Sequence, residues 1–509
     1  MDSMLPGRNS RWHCSLSTKR PTDQPPCDQM WLHGTQRRSG RGPTRRSLAG
    51  VRGGSRSGSC RRCCAASTGF RRRIGGGPNV RLATFRARRR TIVTHPSWHR
   101  HRGTPWSPKA ADARWPVLGG AFRMHRITRL IGLAGAIAGL VASLTVGTVA
   151  AAGSPSVGHV YVNNNTTGRN TIAGFDRHAD GSLTPIAGSP FDAGGAGTGA
   201  PFGSAGGLQR TPDGRYLLAT DPGSNEISVL RIKPHGGLQL ADVQSSNGIA
   251  PVSIAVHGSL VYVANGGAGG SNYTGFRLNA GGHLRSIPGS TYGLPDSAMP
   301  GHVLISPDGH RLVGTRVGPS AGPSYLDGFR IDPDGRLTAA AGSPFAAQRI
   351  GPFGSGFSPT NDNQLFVSNA HDGANAGSVS VYDVAADGSL TAITGSPFAD
   401  NQTAPCWVAI SPDGNALFAV NTAVPSISRY SVASNGSLTL VAPAVPFASP
   451  TGLRPFDAAV SPDGGFLYVV DAGAAKVSAF AVDGTALTEL AGSPFDIAGG
   501  GAPFGIVVD

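Results

Sequence analysis

The feature that most constrains this chain is a sevenfold internal repeat. A β-rich pentad recurs as Val160-Tyr-Val-Asn-Asn, Tyr216-Leu-Leu-Ala-Thr, Val261-Tyr-Val-Ala-Asn, Arg311-Leu-Val-Gly-Thr, Leu365-Phe-Val-Ser-Asn, Leu417-Phe-Ala-Val-Asn and Leu467-Tyr-Val-Val-Asp, with starts 45 to 56 residues apart. Self-similarity at such a period marks a stacked or circular architecture, whatever domain count the length alone would suggest. A second marker is the turn Ser306-Pro-Asp-Gly, repeated at Ser411 and Ser461 and as Thr211-Pro-Asp-Gly. Proline presets φ, aspartate caps its own turn and glycine takes the strained exit, so this motif joins two strands. A third is Asp/Asn-Gly-Ser-Leu-Thr at 180, 387 and 435. Each unit reads as four short strands with no helical stretch, and seven such units specify an all-β, seven-bladed propeller. The first unit opens at Gly158-His-Val160 with no turn-bearing strand before it, and the sequence ends in Gly505-Ile-Val-Val-Asp509. The C-terminal strand is therefore expected to complete the first blade and close the ring.

Charge divides the chain as sharply as the repeat does. There are 44 Lys plus Arg and 29 Asp plus Glu, a net of +15. Residues 1–123 hold 24 Arg, 2 Lys and 4 Asp, a net of +22, and residues 124–509 a net of −7. The basic balance says nothing about the repeats, and their negative charge is wrong for phosphate contacts, so nucleic acid is not an expected partner. Cys14, Cys27, Cys60, Cys63 and Cys64 precede the boundary and only Cys406 follows it, which excludes a disulfide scaffold. Residues 1–123 are rich in Arg, Gly, Pro and Ser without sustained periodicity, and read as a disordered leader. Their arginine clusters lack the interleaved aromatics of a nucleic-acid arm, and Cys60-Arg-Arg-Cys63-Cys64 lacks the further ligands of a zinc site.

Residues 124–152 have the grammar of a signal peptide: Arg126 and Arg129, an uncharged run from Leu130 to Val149, then Ala150-Ala-Ala152. A signal acts at an N-terminus, so translation is expected to start at Met124, leaving residues 1–123 a gene-model artefact. Residues 153–509 are then a secreted or periplasmic propeller. The rival is a retained anchor, since residues 130–152 are long enough to cross a bilayer.

Function should sit where the innermost strands meet the central channel. Before each lies a Pro-x-X triplet, at Pro201, Pro251, Pro300, Pro352, Pro405, Pro455 and Pro503. Proline suits the first position of such a strand, where no donor is lost. The third residues are Gly203 (or Gly207, since this unit carries about four extra residues), Ser253, His302, Gly354, Trp407, Asp457 and Gly505. Three glycines should leave the mouth open. His302 and Asp457 are the candidate catalytic pair, a titratable base or acid and a carboxylate to orient it. Trp407, Ser253 and Arg454 are candidate contacts for a small polar ligand. The bland alternative has His302 bonded to the backbone, Trp407 plugging the channel and Arg454 solvated. Cys406 reads as a buried small hydrophobe. Asp332-Pro-Asp-Gly335 reads as a strand turn rather than a calcium loop, and the Asn163-Asn-Asn-Thr-Thr-Gly168 stretch as an exposed tip.

The succession Ser-Pro-Asp-Gly, Leu-Tyr-Val-x-Asn, Asp-Gly-Ser-Leu-Thr resembles the seven-bladed lactonase-like propellers, which include 6-phosphogluconolactonases and carboxy-muconate cyclases. The resemblance covers residues 154–509 and implies lactone chemistry without a cofactor or metal. Members with that chemistry carry a Gly-Pro-Arg-His-like segment and a Glu after the next strand. Here Met299-Pro-Gly-His302 keeps the histidine but has Gly301 for arginine, and Gly314-Thr-Arg-Val-Gly318 has no glutamate. Those departures favour a monomeric ligand-binding or interaction module of the cell envelope over a lactone hydrolase or cyclase with an altered site.

Overall fold

The computed structural model describes residues 155–509 except 202 and 450. The stretches read from sequence as a leader, 1–123, and as a signal peptide, 124–152, lie outside the described residues. The described chain forms seven antiparallel sheets, each a blade of four main strands. The innermost strands of blades two to seven are Leu208–Arg210, Pro251–His257, Pro300–Ile305, Pro352–Ser358, Pro405–Ile410 and Pro455–Val460. That of blade one is Phe504–Val508, which pairs with Ser156–Asn163 in the register Val160↔Val508, Tyr161↔Val507, Val162↔Ile506. Each innermost strand touches the next, and Phe504–Val508 touches those of blades seven and two, so the ring is closed as the repeat demands.

The pentads form the second strand of every blade. Such a strand is covered on both faces by neighbouring blades, which is why it is almost continuously apolar: all six residues of Leu260–Asn265 are buried. Tyrosine is tolerated there because its hydroxyl reaches the turn of the following blade. Tyr161 donates to Gly236 C=O (2.8 Å), Tyr262 to Gly335 C=O (2.6 Å) and Tyr468 to Gly181 C=O (2.9 Å). Each such ring contributes about 1.5–3 kcal/mol of burial while its polar tip stays satisfied.

The turn motifs act as their chemistry requires. In Ser306-Pro-Asp-Gly, the Ser306 hydroxyl donates to Asp308 Oδ1 (2.5 Å), Gly309 N–H closes onto Ser306 C=O (2.8 Å) and Gly309 takes φ +77°. Asp332-Pro-Asp-Gly335 is the turn between the third and fourth strands of blade four, closed by Gly335 N–H on Asp332 C=O (2.7 Å).

Two local features depart from four plain strands per unit and from an exposed asparagine tip. Gly-Ser-Pro-Phe recurs at 188, 342, 395 and 492, each with a cis Ser–Pro bond, and leads into a short extra strand beside the third strand. Its serine accepts a third-strand N–H in every case, from Gly174, Gly328, Val381 and Ala479. The Asn163–Asn165 stretch is not an exposed tip, since all three asparagines are fully buried. Asn165 donates to Ala200 C=O (2.8 Å) and accepts from Thr198 N–H (2.7 Å), so its amide replaces a missing strand partner between blade one and the segment leading to blade two.

Candidate functional site

The Pro-x-X triplets stand where the innermost strands begin in blades three to seven. Blade two is the exception. Its innermost strand starts at Leu208, and Thr220 N–H donates to Gly207 C=O (3.0 Å), so Gly207 rather than Gly203 holds the equivalent position. The extra residues belong to a long connector, 193–207, against 246–250 and 400–404 at two other junctions.

That connector changes the channel mouth, because its last part crosses the ring. The Ser204 hydroxyl donates to Val252 C=O of blade three, and Ala205 N–H to Gly301 C=O of blade four (3.0 Å). Gly206 N–H donates to Asp457 Oδ2 of blade seven (3.1 Å), and Gly206 C=O accepts from Ile254 N–H of blade three (2.9 Å). Ser204 through Gly207 are all buried. The expectation of an open mouth is therefore corrected. The glycines of the ring are points of close approach instead: a Cβ on Gly354 would lie 2.6 Å from Cys406 C=O, and one on Gly505 would lie 2.7 Å from Leu208 N. Neighbouring innermost strands converge so tightly there that no side chain fits.

His302 and Asp457 come from blades four and seven and meet at the same residue, Gly206. A Cβ on Gly206 would lie 2.8 Å from His302 Nε2, and Gly206 takes φ +67°, so glycine is required on both counts. His302 is held from behind as well: its N–H donates to Thr315 Oγ1 (2.9 Å), which donates onward to Phe353 C=O (3.0 Å). Its Nδ1 accepts Ser355 N–H (3.1 Å), with Ser355 Oγ also 3.1 Å away. The neutral ring therefore carries its proton on Nε2, facing Gly206. Burial pushes the imidazole down to about 4. Burial also pushes the Asp457 carboxyl up to about 7, against backbone N–H bonds from Gly206, Ala458 and Ile506. Both groups are thus uncharged over most of the range between those values.

Trp407 lies buried between Phe353 (centroids 5.1 Å apart) and Phe456 (5.2 Å), with its indole N–H meeting no acceptor among the described residues. Ala205 of the connector belongs to the same apolar cluster. Ser253 is fully buried and its Oγ accepts Val303 N–H (3.1 Å), which makes it a fastener between blades three and four. Arg454 is half-buried, its backbone N–H on Asp471 Oδ1 (2.6 Å) and its Cγ 2.9 Å from where a Gly473 Cβ would be. The structure brings His302 and Asp457 together and stacks Trp407 into the plug, but it does not gather Ser253 or Arg454 onto that pair. Cys406 is buried, as its neighbours in the strand are.

Sequence reasoning missed Ser355, which engages His302, and the whole Ser204–Gly207 crossing. The extra length before Leu208 was the only signal for the crossing. Phe353 and Phe456 did leave a trace, since Pro-Phe recurs among the triplets at 201, 352, 455 and 503. At the end of the strand that follows His302, Arg316 forms a two-pronged pair with Asp327 (2.6 and 2.5 Å), whose carboxylate also accepts the Tyr273 hydroxyl (2.9 Å). Among the described residues no cluster of three or more His, Cys, Asp or Glu is arranged to hold a metal, and no helix is long and apolar enough to cross a membrane.

Known structures share this architecture. A Bacteroides fragilis protein proposed to be a 6-phosphogluconolactonase superposes with a TM-score of 0.54 at 21% identity, covering 70% of this chain and 100% of its own. A periplasmic gluconolactonase of Pseudomonas aeruginosa gives 0.54 at 20% identity, covering 69% and 98%. At that identity the likeness establishes the fold. No curated protein matches. The family described as "Lactonase, 7-bladed beta-propeller" matches residues 152–314 and 357–503, more than half of the chain. With seven closed blades and that match, the chain belongs to the seven-bladed lactonase propeller family.

Proposed function

We propose that this propeller serves as a ligand-binding or interaction module of the cell envelope, exported by the segment at 124–152, rather than as a hydrolase. The observation that carries this reading is the state of the candidate catalytic pair. The lone pair of His302 is taken by Ser355 N–H, the Asp457 oxygens accept backbone donors, and Gly206 lies against both. A general base needs a free lone pair within reach of the proton it removes: the one imine lone pair of His302 is occupied, and Asp457 lies buried against Gly206. The missing arginine and glutamate of the family motif support the same reading. The periplasmic placement named for the Pseudomonas protein agrees with an exported role.

A second reading, a lactone hydrolase or cyclase with a rewired site, is favoured by one fact: two titratable groups from opposite sides of the ring converge on a single residue. Acid release followed by pH-stat over a panel of sugar and aliphatic lactones decides between them, using the full chain beside His302→Ala. No turnover by folded protein upholds the binding module. Turnover abolished in a variant of unchanged thermal stability would overturn it in favour of the enzyme.

A further inference from the structure

We propose that Ser204–Gly207 is a displaceable lid, closed in this structure, over the His302–Asp457 pair. The connector that carries it is long, 193–207, and it alone among the junctions just described runs across the channel instead of around its rim. Connections of this length in a compact fold commonly carry function. Its fastening is light. Four hydrogen bonds tie Ser204–Gly206 to blades three, four and seven, its only apolar side chain is the Ala205 methyl, and Gly207, whose C=O accepts from Thr220 and Asn163, anchors the end of the segment to blades two and one. Gly203, Gly206 and Gly207 supply backbone freedom, and segments with few apolar contacts open at lower free energy than core strands. The lid is independent of whether the uncovered pair binds a ligand or turns one over, so its failure would leave the proposed function standing.

Opening has a definite proton signature. Facing Asp457 are Gly206 of the lid, Ala458 and Ile506; the His302 ring meets Ser355 and Gly206, its backbone N–H meets Thr315, and Gln209 lies against Gly206 from the same side, none of them titratable. The charged groups on the adjoining strands are engaged elsewhere, Arg210 with Asp509 (3.5 Å) and Arg316 with Asp327, while Arg454 lies against Gly473. Closed, the pair titrates near 4 for His302 and near 7 for Asp457. Uncovered, the two return toward about 6.5 and about 3.9. Opening then releases a proton from Asp457 and binds one at His302, and the two nearly cancel between about pH 4.5 and 6.5.

The test is amide hydrogen exchange at Ala205, Gly206 and Ile254 in the full chain, corrected for intrinsic rates, from pH 4.5 to 6.5. Wild type should show a nearly flat opening constant, larger than that of the Leu260–Asn265 amides. With Asp457→Asn only the histidine responds, so opening should rise about tenfold per unit as pH falls. With His302→Gln only the carboxyl responds, so opening should rise about tenfold per unit as pH increases. Gly206→Ala should speed exchange at the lid and leave the core strand unchanged, which keeps the test alive should a pair variant fail to fold. Slopes of one sign, flat profiles in both pair variants, or lid amides that open only with the core strand would overturn the proposal.

Discussion

The Arg316–Asp327 pair offers the sharpest quantitative test of how the repeat is built. In blade six Asn421 ends the second strand and donates to Ser428 Oγ (3.0 Å), and in blade five Asn369 donates to Ser380 Oγ (2.9 Å). The pairings Ala419↔Ser428 and Gly314↔Asp327 place Asp327 at the position of Ser428, and Arg316 at that of Asn421. Blade four has thus exchanged a neutral hydrogen-bonded pair for an ionic one. Asp327 is fully buried and the Arg316 side chain is 9% exposed, so removing one partner strands a charge in the protein interior. Arg316→Asn or Asp327→Ser should each cost about 3–5 kcal/mol. The double variant restores the arrangement of blades five and six and should recover most of that loss, apart from about 1 kcal/mol for the Tyr273 hydroxyl, which loses its acceptor. The coupling energy of the double-mutant cycle should therefore be at least about 2 kcal/mol, read from denaturant midpoints at unchanged slope. Additive single effects, with the double variant the least stable of the set, would refute the reasoning.

Three further outcomes follow from the packing. Phe504 is fully buried at the closing seam with its ring against Gly207, so Phe504→Ala should cost about 3–5 kcal/mol, measurable as a lowered denaturant midpoint. Trp407→Ala should cost a similar amount by opening a cavity between Phe353 and Phe456, and a small apolar additive that fills the cavity should restore part of the lost thermal stability. Burial opposes ionisation of Asp509, but its bonds to the His159 ring (3.2 Å) and backbone (2.6 Å) hold its carboxyl below the ordinary value. A lowered folded value means stability that is present above about pH 4 and lost as pH falls through the folded value. His159→Ala should therefore raise the pH midpoint of acid unfolding followed by circular dichroism, and an unchanged midpoint would remove this role from the seam.

Much of the architecture could be read residue by residue. The pentads are legible as strands because their apolar run reports burial on both faces, and the Ser/Thr-Pro-Asp-Gly turns because their geometry is closed within four residues. Closure by Gly505–Asp509 was legible by counting strands. Less legible were features whose meaning depends on a neighbour. The Gly-Ser-Pro-Phe segments gain their meaning only from the third strand, whose N–H each serine accepts. Asn163–Asn165 looked like a solvated tip because polar composition does not reveal a partner some 35 residues away. Gly354 and Gly505 looked like openings because a missing side chain can mean space or the complete lack of it.

His302 and Asp457 mark the boundary between the two kinds of information. The amino-acid sequence alone determined that there are seven blades, that the ring closes on its last strand, and that these two residues begin innermost strands. Local backbone chemistry and a repeating apolar pattern carry that much, since each is satisfied within one unit. Only the tertiary structure decided that the pair meets at Gly206 beneath a crossing connector, that Ser355 holds the imidazole, and that burial shifts both groups toward their uncharged forms. Those facts arise from seven sheets converging on one axis, where Gly206 and Asp457, 251 positions apart, share a hydrogen bond and the side chains around them are buried.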